Sequence, residues 1–348
     1  MPATPHHRIL DAALNRAGEG LRAAEDFTRL ALDDPFLTQQ LKKIRHDLTT
    51  AAAAIAPADR HAARDTAHDV GTTIATATEQ ERADTAAVCA ANLKRAEQSL
   101  RSLEEYGKLA DPHFAKAMEA IRYRLYTLEK AIDLGRTSRE RLESVRLCVL
   151  VDGQRTAAAF EQFVSALVGT GDLMIQLRDK SLDDRTLLER ARRLRQLTRG
   201  TGSLAVINDR ADVAAAIGAD GVHLGQEDLP VKDARAVVGT RMLIGVSTHN
   251  LDQARAAVLD GANYLGAGPT FPSQTKLFDT FAGLEYLRQV AAEIRLPTFA
   301  IGGITAERLP TVLAAGVRRI AVGAAVAAAG EPASAARKLL GMLDNSGG

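Results

Sequence analysis

The first part of the chain, from Met1 to about Arg146, has its apolar residues at helical spacing. Apolar positions recur every three or four residues, which places them on one face of an α-helix. They are Leu10, Leu14, Leu21, Phe27, Leu30 and Leu32 in one stretch, and Leu93, Leu100, Leu103, Ile121, Leu125, Leu128 and Ile132 in another. Proline or glycine interrupts the pattern at Pro35, Pro57, Gly71 and Pro112. The pattern predicts an all-α region.

This helical region contains an internal repeat. The segment Leu21–Phe27 aligns with Leu100–Tyr106, and Ile44–Leu48 aligns with Ile121–Leu125 after a small change in length. A repeated unit usually buries its apolar face against its neighbour. We therefore expect two helical hairpins packed in pseudo-symmetry, with a cleft at their axis.

The second part of the chain alternates short apolar runs with helical patterns. The runs are Leu147–Val151, Leu173–Leu177, Leu204–Ile207, Gly221–Leu224, Met242–Val246, Tyr264–Ala267, Thr298–Ile301 and Ile320–Val322. Eight strands that alternate with helices predict an α/β fold of the (βα)8 TIM-barrel type, with an open doubly wound sheet as the alternative. The helical pattern breaks at Leu134–Glu140, so we expect an all-α domain over residues 1–140 and a barrel over residues 141–348.

Composition excludes several classes of protein. Apolar residues make up 46% and charged residues 25% of the 348 positions, as in globular proteins. A net charge of +1 and 4% aromatic residues without tryptophan do not favour nucleic acid or an anionic membrane as a partner. The sequence has no pattern of a membrane span or secretory leader, which predicts a cytoplasmic protein. We expect Cys89 and Cys148 to be buried core residues rather than a disulfide or metal ligands.

Charged and polar residues follow the predicted strands. In a (βα)8 barrel the carboxyl ends of all strands meet at one face, where the chemistry takes place. Asp209 and Asp228 follow adjacent strands, and two carboxylates with retained waters suit Mg²⁺, which in turn suits a diphosphate. Arg178, Lys180 and Lys276 could hold phosphoryl oxygens.

Other rim residues point to a second phosphate and to a heterocycle. Strands 7 and 8 end in glycine at Gly302-Gly303 and Gly323-Ala324, where backbone N–H groups commonly bind phosphate. The segment Ser273-Gln274-Thr275-Lys276 is predicted to be a lid over the mouth. Gln176 and Asn208 offer amide groups to a heterocycle. We expect His223 to be packed within its strand and His249 to lie on the rim.

Several of these motifs, in the same order, closely resemble the thiamine phosphate synthase family over essentially the whole second part. They are Gln176–Lys180, Asn208-Asp209, His223–Asp228, Gly245–His249, Gly268-Pro269 with Thr275-Lys276, and Ile301–Thr305. The resemblance implies that Gln176, Leu177, Arg178, Asp179, Lys180, Asn208, Ser247 and Lys276 bind the pyrimidine diphosphate. It implies that Asp209 and Asp228 hold Mg²⁺, and that Ser273, Gln274, Thr275, Gly303, Gly323 and Ala324 bind the thiazole phosphate.

The reaction that the resemblance implies is transfer of an aminopyrimidinylmethyl group from its diphosphate to the ring nitrogen of a thiazole phosphate, carboxylated or not. Catalysis would fall to Arg178, Lys180, Lys276 and Ser247, which surround the departing pyrophosphate. The partners would be these small molecules, and an assembly of identical chains is compatible with the sequence. The alternative is a barrel that acts as a thiazole tautomerase, with His249 as the proton carrier.

The first part of the chain resembles the small helical domain fused ahead of some thiamine phosphate synthases. The resemblance rests on Asn15–Ala17, Glu19–Arg22, Arg64–Thr72 and Lys94-Arg95. That domain belongs to a family assigned a hydroxymethylpyrimidine phosphate kinase activity, which would use ATP. A non-catalytic dimerisation or channelling module is the alternative. Similarly, the charged residues could form ordinary helix-surface ion pairs, or Arg64–Thr72 could hold a phosphate and its Mg²⁺.

Overall fold

The structure is a computed structural model that describes residues 5–70, 81–272 and 281–345. The chain divides into two compact units, Met1–Ile132 and Asp133–Gly348. The described part of the first unit is helical, as predicted. Its helices are α1 (Pro5–Leu30), α2 (Pro35–Ala52), α3 (Pro57–Ala63), α4 (Thr85–Gly107) and the larger part of α5 (Pro112–Arg141).

Local sequence determines where these helices begin. The side chain of Asp34 accepts a hydrogen bond of 2.9 Å from the backbone N–H of Leu37, and Pro35 occupies the first helical position of α2. Asp84 caps α4 in the same way, at 2.7 Å from the backbone nitrogen of Ala87. Each aspartate satisfies an N–H group that has no partner within its helix, which is typically worth about 1 kcal/mol.

Helices α1 and α4 pack closely because small residues face each other. Ala17 and Ala96 are fully buried, and a Cβ atom added to Gly20 would lie 2.6 Å from the carbonyl oxygen of Asn92. It would also lie 3.2 Å from the Cβ atom of Ala96. The close approach therefore requires glycine at position 20.

The predicted repeat is visible in the ion pairs of the first unit. Arg45 contacts the buried carboxylate of Glu25 at 2.9 Å, and the aligned residues Arg122 and Glu104 are paired at 2.7 Å. Arg101 also contacts Glu104, at 2.6 Å, just as Arg22 contacts Glu25, at 3.6 Å. The two hairpins thus use the same buried Glu–Arg arrangement, which pairs charges that would otherwise be costly to bury.

The predicted helix break at Leu134–Glu140 is wrong. Helix α5 continues through Gly135 and ends at Arg141, so the division between the two units falls inside it. Glycine costs a helix about 1 kcal/mol relative to alanine. Two contacts along the helix support this stretch, from Arg136 to Asp133 at 3.1 Å and from Arg136 to Glu140 at 2.8 Å.

The second unit is a closed barrel of parallel strands in the order β1 to β8. The strands are β1 (Leu147–Val151), β2 (Leu173–Leu177), β3 (Leu204–Asn208), β4 (Gly221–Leu224), β5 (Leu243–Thr248), β6 (Tyr264–Ala267), β7 (Thr298–Ile301) and β8 (Arg319–Val322). Strand β1 pairs with β8 through Leu147 and Ile320, so the sheet closes and the open-sheet alternative is wrong. The predicted (βα)8 barrel is confirmed.

Helices connect the strands and surround the barrel. They are α6 (Ala157–Val168), α7 (Asp184–Thr198), α8 (Ala211–Ile217), α9 (Val231–Val238), α10 (Leu251–Asp260), α11 (Gly283–Glu293), α12 (Leu309–Ala314), α13 (Ala324–Ala327) and α14 (Pro332–Asp344). Within the described ranges, no helix of either unit is both long and apolar enough to cross a bilayer.

Large side chains fill the inside of the barrel. Tyr264 and Phe299 meet edge to face with ring centroids 5.7 Å apart, and Leu142 and Val145 join the same buried cluster. Each such side chain contributes roughly 1.5–3 kcal/mol when fully buried. Cys148 lies in this cluster and Cys89 is buried in the first unit, both as free thiols, as predicted.

Candidate active site

An open cleft of about 990 Å³ lies at the carboxyl ends of the barrel strands. It is lined by several residues that the sequence singled out, namely Arg178, Lys180, Asp228, Ser247, His249, Gly302, Gly303, Gly323 and Ala324. Parallel strands end at the same rim of a closed barrel, so residues far apart in sequence meet there.

Two carboxylates meet beside one lysine at this rim. Asp209 follows β3 and Asp228 lies beyond β4, and their side chains are close enough to share a hydrogen bond when one is protonated. Lys180 contacts the Asp209 carboxylate at 3.0 Å. Burial raises the pKa of Asp209, the neighbouring Asp228 raises it further, and Lys180 opposes both. One ammonium group therefore offsets the negative charge of the pair only in part.

The backbone at Asp209 adopts a conformation that residues other than glycine rarely adopt. Its φ angle is +61°, in the left-handed region. Its N–H donates a hydrogen bond of 2.8 Å to the carbonyl oxygen of His223 on the neighbouring strand. Strain of this kind clusters at functional sites, where the surrounding structure maintains it.

The polar residues around the end of β2 bond mainly to other protein groups. The Gln176 side chain is buried and donates to the Asn208 side chain at 2.8 Å. The Leu177 side chain is buried as well. Asp179 accepts hydrogen bonds from the N–H of Gly153 and from Ser181. Burial by itself would raise the pKa of Asp179, but these hydrogen bonds lower it overall. These side chains shape the rim, while Arg178 and Lys180 line the cleft.

Arg178 differs from most arginines of the barrel. Its guanidinium makes no hydrogen bond or ion pair with the described part of the chain. Its positive charge helps to lower the pKa of the His223 imidazole. Arg178 is thus a cation at the cleft whose hydrogen-bond donors are available to an anionic ligand.

A hydrogen-bonded chain of three side chains crosses the barrel interior. The imidazole of His223 lies 2.9 Å from Ser247 Oγ through Nε2 and 3.2 Å from the hydroxyl of Tyr264 through Nδ1. Burial, with a smaller contribution from Arg178, lowers the pKa of His223 to about 4, so the ring is neutral at pH 7. The prediction that His223 is packed is confirmed. The short apolar run of β4 did not reveal the contact between His223 and Ser247.

The opposite part of the rim is rich in glycine. Gly302 and Gly303 have φ angles of +101° and +61°, which a residue with a Cβ atom rarely adopts. A Cβ atom on Gly303 would lie 2.6 Å from the carbonyl oxygen of Pro272. Gly323 and Ala324, after β8, line the same part of the cleft.

The predicted lid falls outside the described residues. Ser273, Gln274, Thr275 and Lys276 belong to residues 273–280, and their predicted roles stay predictions. His249 is exposed on the rim, as predicted, and its Nδ1 lies 2.5 Å from the carbonyl oxygen of Gly268.

The cleft is also lined by residues that the sequence reasoning did not select, among them Gln226, Gln253, Glu307 and Arg308. Gln226 stands within the His223–Asp228 motif, so its position could have indicated it. Arg308 follows the Gly302-Gly303 turn by a few residues, and nothing in its local sequence distinguishes it from a surface arginine.

The residues present fit Mg²⁺. Two adjacent carboxylates that are only partly neutralised would favour a divalent cation at Asp209 and Asp228. Within residues 5–70, 81–272 and 281–345 no three acidic, histidine or cysteine residues cluster as ligands. Mg²⁺ usually keeps several waters and takes further oxygens from substrate phosphates, so it does not require a third protein ligand.

In the first unit, the charged residues Arg64 and Asp65, for which phosphate binding was one interpretation, contact other protein groups. Arg64 donates two hydrogen bonds, of 2.7 and 2.9 Å, to the buried carboxylate of Asp11. Asp65 accepts a hydrogen bond from the N–H of His68, and its carbonyl oxygen accepts one from Arg8. A phosphate at Arg64 would have to compete with Asp11. Gly71 and Thr72 lie outside the described residues.

Comparison with known proteins places the chain in a family. The thiamine monophosphate synthase family matches residues 147–326. The thiamine-phosphate synthase of Rhodopirellula baltica is 47% identical over 92% of this chain and 88% of its own length. That of Synechocystis sp. is 41% identical over 97% and 96%. The chain belongs to the thiamine monophosphate synthase family.

Structural similarity agrees with this membership. The thiamine phosphate pyrophosphorylase of Pyrococcus furiosus superposes with a TM-score of 0.53 at 37% identity, covering 60% of this chain and 99% of that one. Like the other thiamine monophosphate synthases, the chain is a transferase. The ThiD2 family matches residues 8–131, in the helical unit. The curated relatives match across both units, so the fusion is common to them.

Proposed function

We propose that the barrel transfers an aminopyrimidinylmethyl group from its diphosphate to the ring nitrogen of a thiazole phosphate, which gives thiamine phosphate and pyrophosphate. The C–O bond to the diphosphate breaks and a C–N bond to the thiazole forms. Family membership favours this transferase over the tautomerase alternative. The observation that carries the proposal is the Asp209–Asp228 pair beside Lys180, since Asp228 and Lys180 line the same cleft as a glycine-rich rim.

The charged residues at the cleft would have separate roles in this reaction. Asp209 and Asp228 would hold Mg²⁺, which, when bound, neutralises the charge that develops on the departing pyrophosphate. Arg178 would donate hydrogen bonds to the same oxygens, and Lys180 would do so while it contacts Asp209. Lys276 would join them by the family resemblance.

Ser247 would contact the pyrimidine diphosphate, and a hydrogen bond with His223 holds its hydroxyl in place. Its Oγ lies 2.9 Å from Nε2 of a histidine that stays neutral at pH 7, and it lines the cleft. The hydroxyl is therefore fixed by a neighbour that does not change its charge. Gly303, Gly323 and Ala324 would receive the thiazole phosphate and would thereby hold the acceptor nitrogen towards the carbon that the pyrophosphate leaves.

Substitution of Asp209 tests this function. Asp209→Asn keeps the size of the side chain but removes a charge, so we expect thiamine phosphate formation to fall about 100-fold or more at fixed Mg²⁺. The matched control is Asp212→Asn, because Asp212 is paired with Arg210 at 2.7 Å and does not line the cleft. Full activity in Asp209→Asn, or an equal loss in Asp212→Asn, would contradict the metal assignment.

We also propose that the helical unit phosphorylates hydroxymethylpyrimidine phosphate with ATP and so supplies the diphosphate substrate. The match to the ThiD2 family over residues 8–131 supports this. The test uses the full chain carrying Asp209→Asn, which stops consumption of the diphosphate in the barrel. ATP-dependent formation of the pyrimidine diphosphate is expected, and its absence in a folded protein would favour a non-catalytic module.

A further inference from the structure

Arg308 lies in the cleft in a fixed position. It precedes α12 and follows the turn formed by Gly302 and Gly303 after β7. Its Nη1 donates a hydrogen bond of 2.7 Å to the carbonyl oxygen of Gly303, and its Cζ lies 5.1 Å from the ring centroid of Phe271. A hydrogen bond and a cation–π contact together reduce the freedom that an arginine would lose on binding a ligand.

The charge of Arg308 has no acidic partner in the described part of the chain, where no carboxylate oxygen lies within 4.0 Å of its guanidinium. Other arginines of the barrel are paired, for example Arg255 with Glu293 at 2.6 Å and Arg195 with Asp220 at 3.0 Å. Glu307 is adjacent to Arg308 in sequence, but its carboxyl group forms a hydrogen bond with Thr305 instead, which lowers the pKa of that group.

The place of Arg308 in the barrel separates it from Arg178 and Lys180, two of the cations assigned to the diphosphate site. Arg178 and Lys180 follow β2, whereas Arg308 follows β7, and strands β1 and β8 lie between β2 and β7 in the closed ring. The reaction brings together two anionic substrates, a diphosphate and a thiazole phosphate. Each anion requires its own donors, and arginine offers several N–H groups for a phosphate or a carboxylate.

We propose that Arg308 binds an anionic substituent of the thiazole acceptor and sets the preference for charged over uncharged acceptors. This inference rests on the proposed transferase function. The substituent is a phosphate or a carboxylate, since both present oxygens that a guanidinium recognises in the same way. Arg308 is thus a specificity-determining residue of the acceptor side, outside the set that holds the diphosphate.

Steady-state kinetics of the full chain test the inference. With the pyrimidine diphosphate saturating, Arg308→Gln is expected to lower kcat/KM for thiazole phosphate about 10- to 100-fold, because a hydrogen bond to a charged group is lost. The KM for the pyrimidine diphosphate should stay within about twofold of wild type, since different cations bind it. Arg308→Lys should restore part of the activity, because it keeps the charge but not the planar fork.

A series of acceptors identifies the bound group. If Arg308 binds the phosphate, the loss in Arg308→Gln disappears with the unphosphorylated thiazole alcohol. If it binds the carboxylate, the loss is larger for carboxylated thiazole phosphate than for the decarboxylated compound. Either pattern supports the inference. A purely structural role through the Gly303 carbonyl would instead impair all acceptors equally, and that result would overturn it.

The matched control is Arg288→Gln. Arg288 is an exposed arginine of α11 that contacts Glu285 at 3.2 Å and does not line the cleft. The Arg288→Gln variant should have the same kcat/KM for thiazole phosphate as the wild-type protein. Wild-type protein that makes no thiamine phosphate would refute the proposed function itself. Active wild-type protein with an unaltered Arg308→Gln variant would refute the inference about Arg308 alone.

Discussion

Acidification should destabilise the barrel through one buried imidazole. His223 is buried against Tyr264 and Ser247, and its pKa is lowered from 6.5 to about 4, first by burial and then by the charge of Arg178. The native barrel therefore holds His223 neutral, whereas the unfolded chain takes up a proton below about pH 6.5.

The magnitude follows from the pKa difference. One pKa unit corresponds to about 1.36 kcal/mol, so a shift from 6.5 to about 4 amounts to roughly 3 kcal/mol. Because the unfolded state binds more protons between these values, the free energy of unfolding falls as the pH falls. The contribution of His223 is constant above about pH 6.5 and is lost progressively down to about pH 4. That is a large part of the stability of an ordinary domain, about 5–15 kcal/mol.

Comparison with a non-titrating variant isolates this contribution from other acid effects. His223→Gln keeps a polar side chain that can contact Ser247 but cannot take up a proton in this range. Urea unfolding at about pH 7, 5.5 and 4.5, followed by hydrogen exchange of peptides from β4 and β5, reports on the barrel. Wild-type protein should lose about 2–3 kcal/mol more than the variant between the extremes. Equal losses in both proteins would refute the reasoning.

Three further predictions concern packing and buried charge. Glu104→Gln removes the buried acidic partner of Arg122 and should lower the free energy of unfolding by about 3 kcal/mol. The exposed Glu105→Gln should leave it almost unchanged in the same urea titration, and equal losses in the two variants would contradict this. Gly20→Ala should destabilise the first unit by about 1–3 kcal/mol, because its Cβ atom would clash with Asn92 and Ala96. Gly18→Ala, where the added Cβ atom meets open space, should leave the melting temperature unchanged or raise it. A lower melting temperature for Gly18→Ala than for Gly20→Ala would contradict this packing. Neither cysteine should react with a thiol reagent in the native protein, because both are buried and burial raises the pKa of both thiols, to about 11 for Cys89. Labelling should require denaturant, and rapid labelling of the native protein would disprove the burial.

Much of the barrel was readable from local pattern. The predicted bounds of β1, β2, β4, β6 and β7 coincide with those observed, because a strand buried on both faces is a short continuous apolar run. The internal repeat was also predictable, since helical spacing and the aligned Glu and Arg positions stand in the sequence itself. By contrast, the predicted end of α5 is wrong, because the local glycine signal does not include tertiary contacts such as the hydrogen bond of 2.9 Å from Asn263 to the buried Ser138 hydroxyl.

The structure brings several of the predicted rim residues together, but the sequence did not indicate their hydrogen-bond and ion-pair partners. Position after a strand indicated Asp209, Asp228, Arg178 and Lys180, since strand order determines that such residues share one rim. Sequence could not show that Lys180 contacts Asp209 at 3.0 Å, or that Asp209 adopts a left-handed backbone conformation. These depend on side-chain directions and loop paths.

The sequence by itself therefore determined the two kinds of fold, most of the strand positions and the charged residues that follow the strands. These properties follow from periodicity and residue chemistry, which act over a few positions. Only the tertiary structure decided which charges are paired, that His223 stays neutral beside Ser247, and that Arg308 lies away from Arg178 and Lys180 in the ring of strands. The physical reason is that burial and charge pairing depend on neighbours in space, which closure of the barrel brings together from distant parts of the chain.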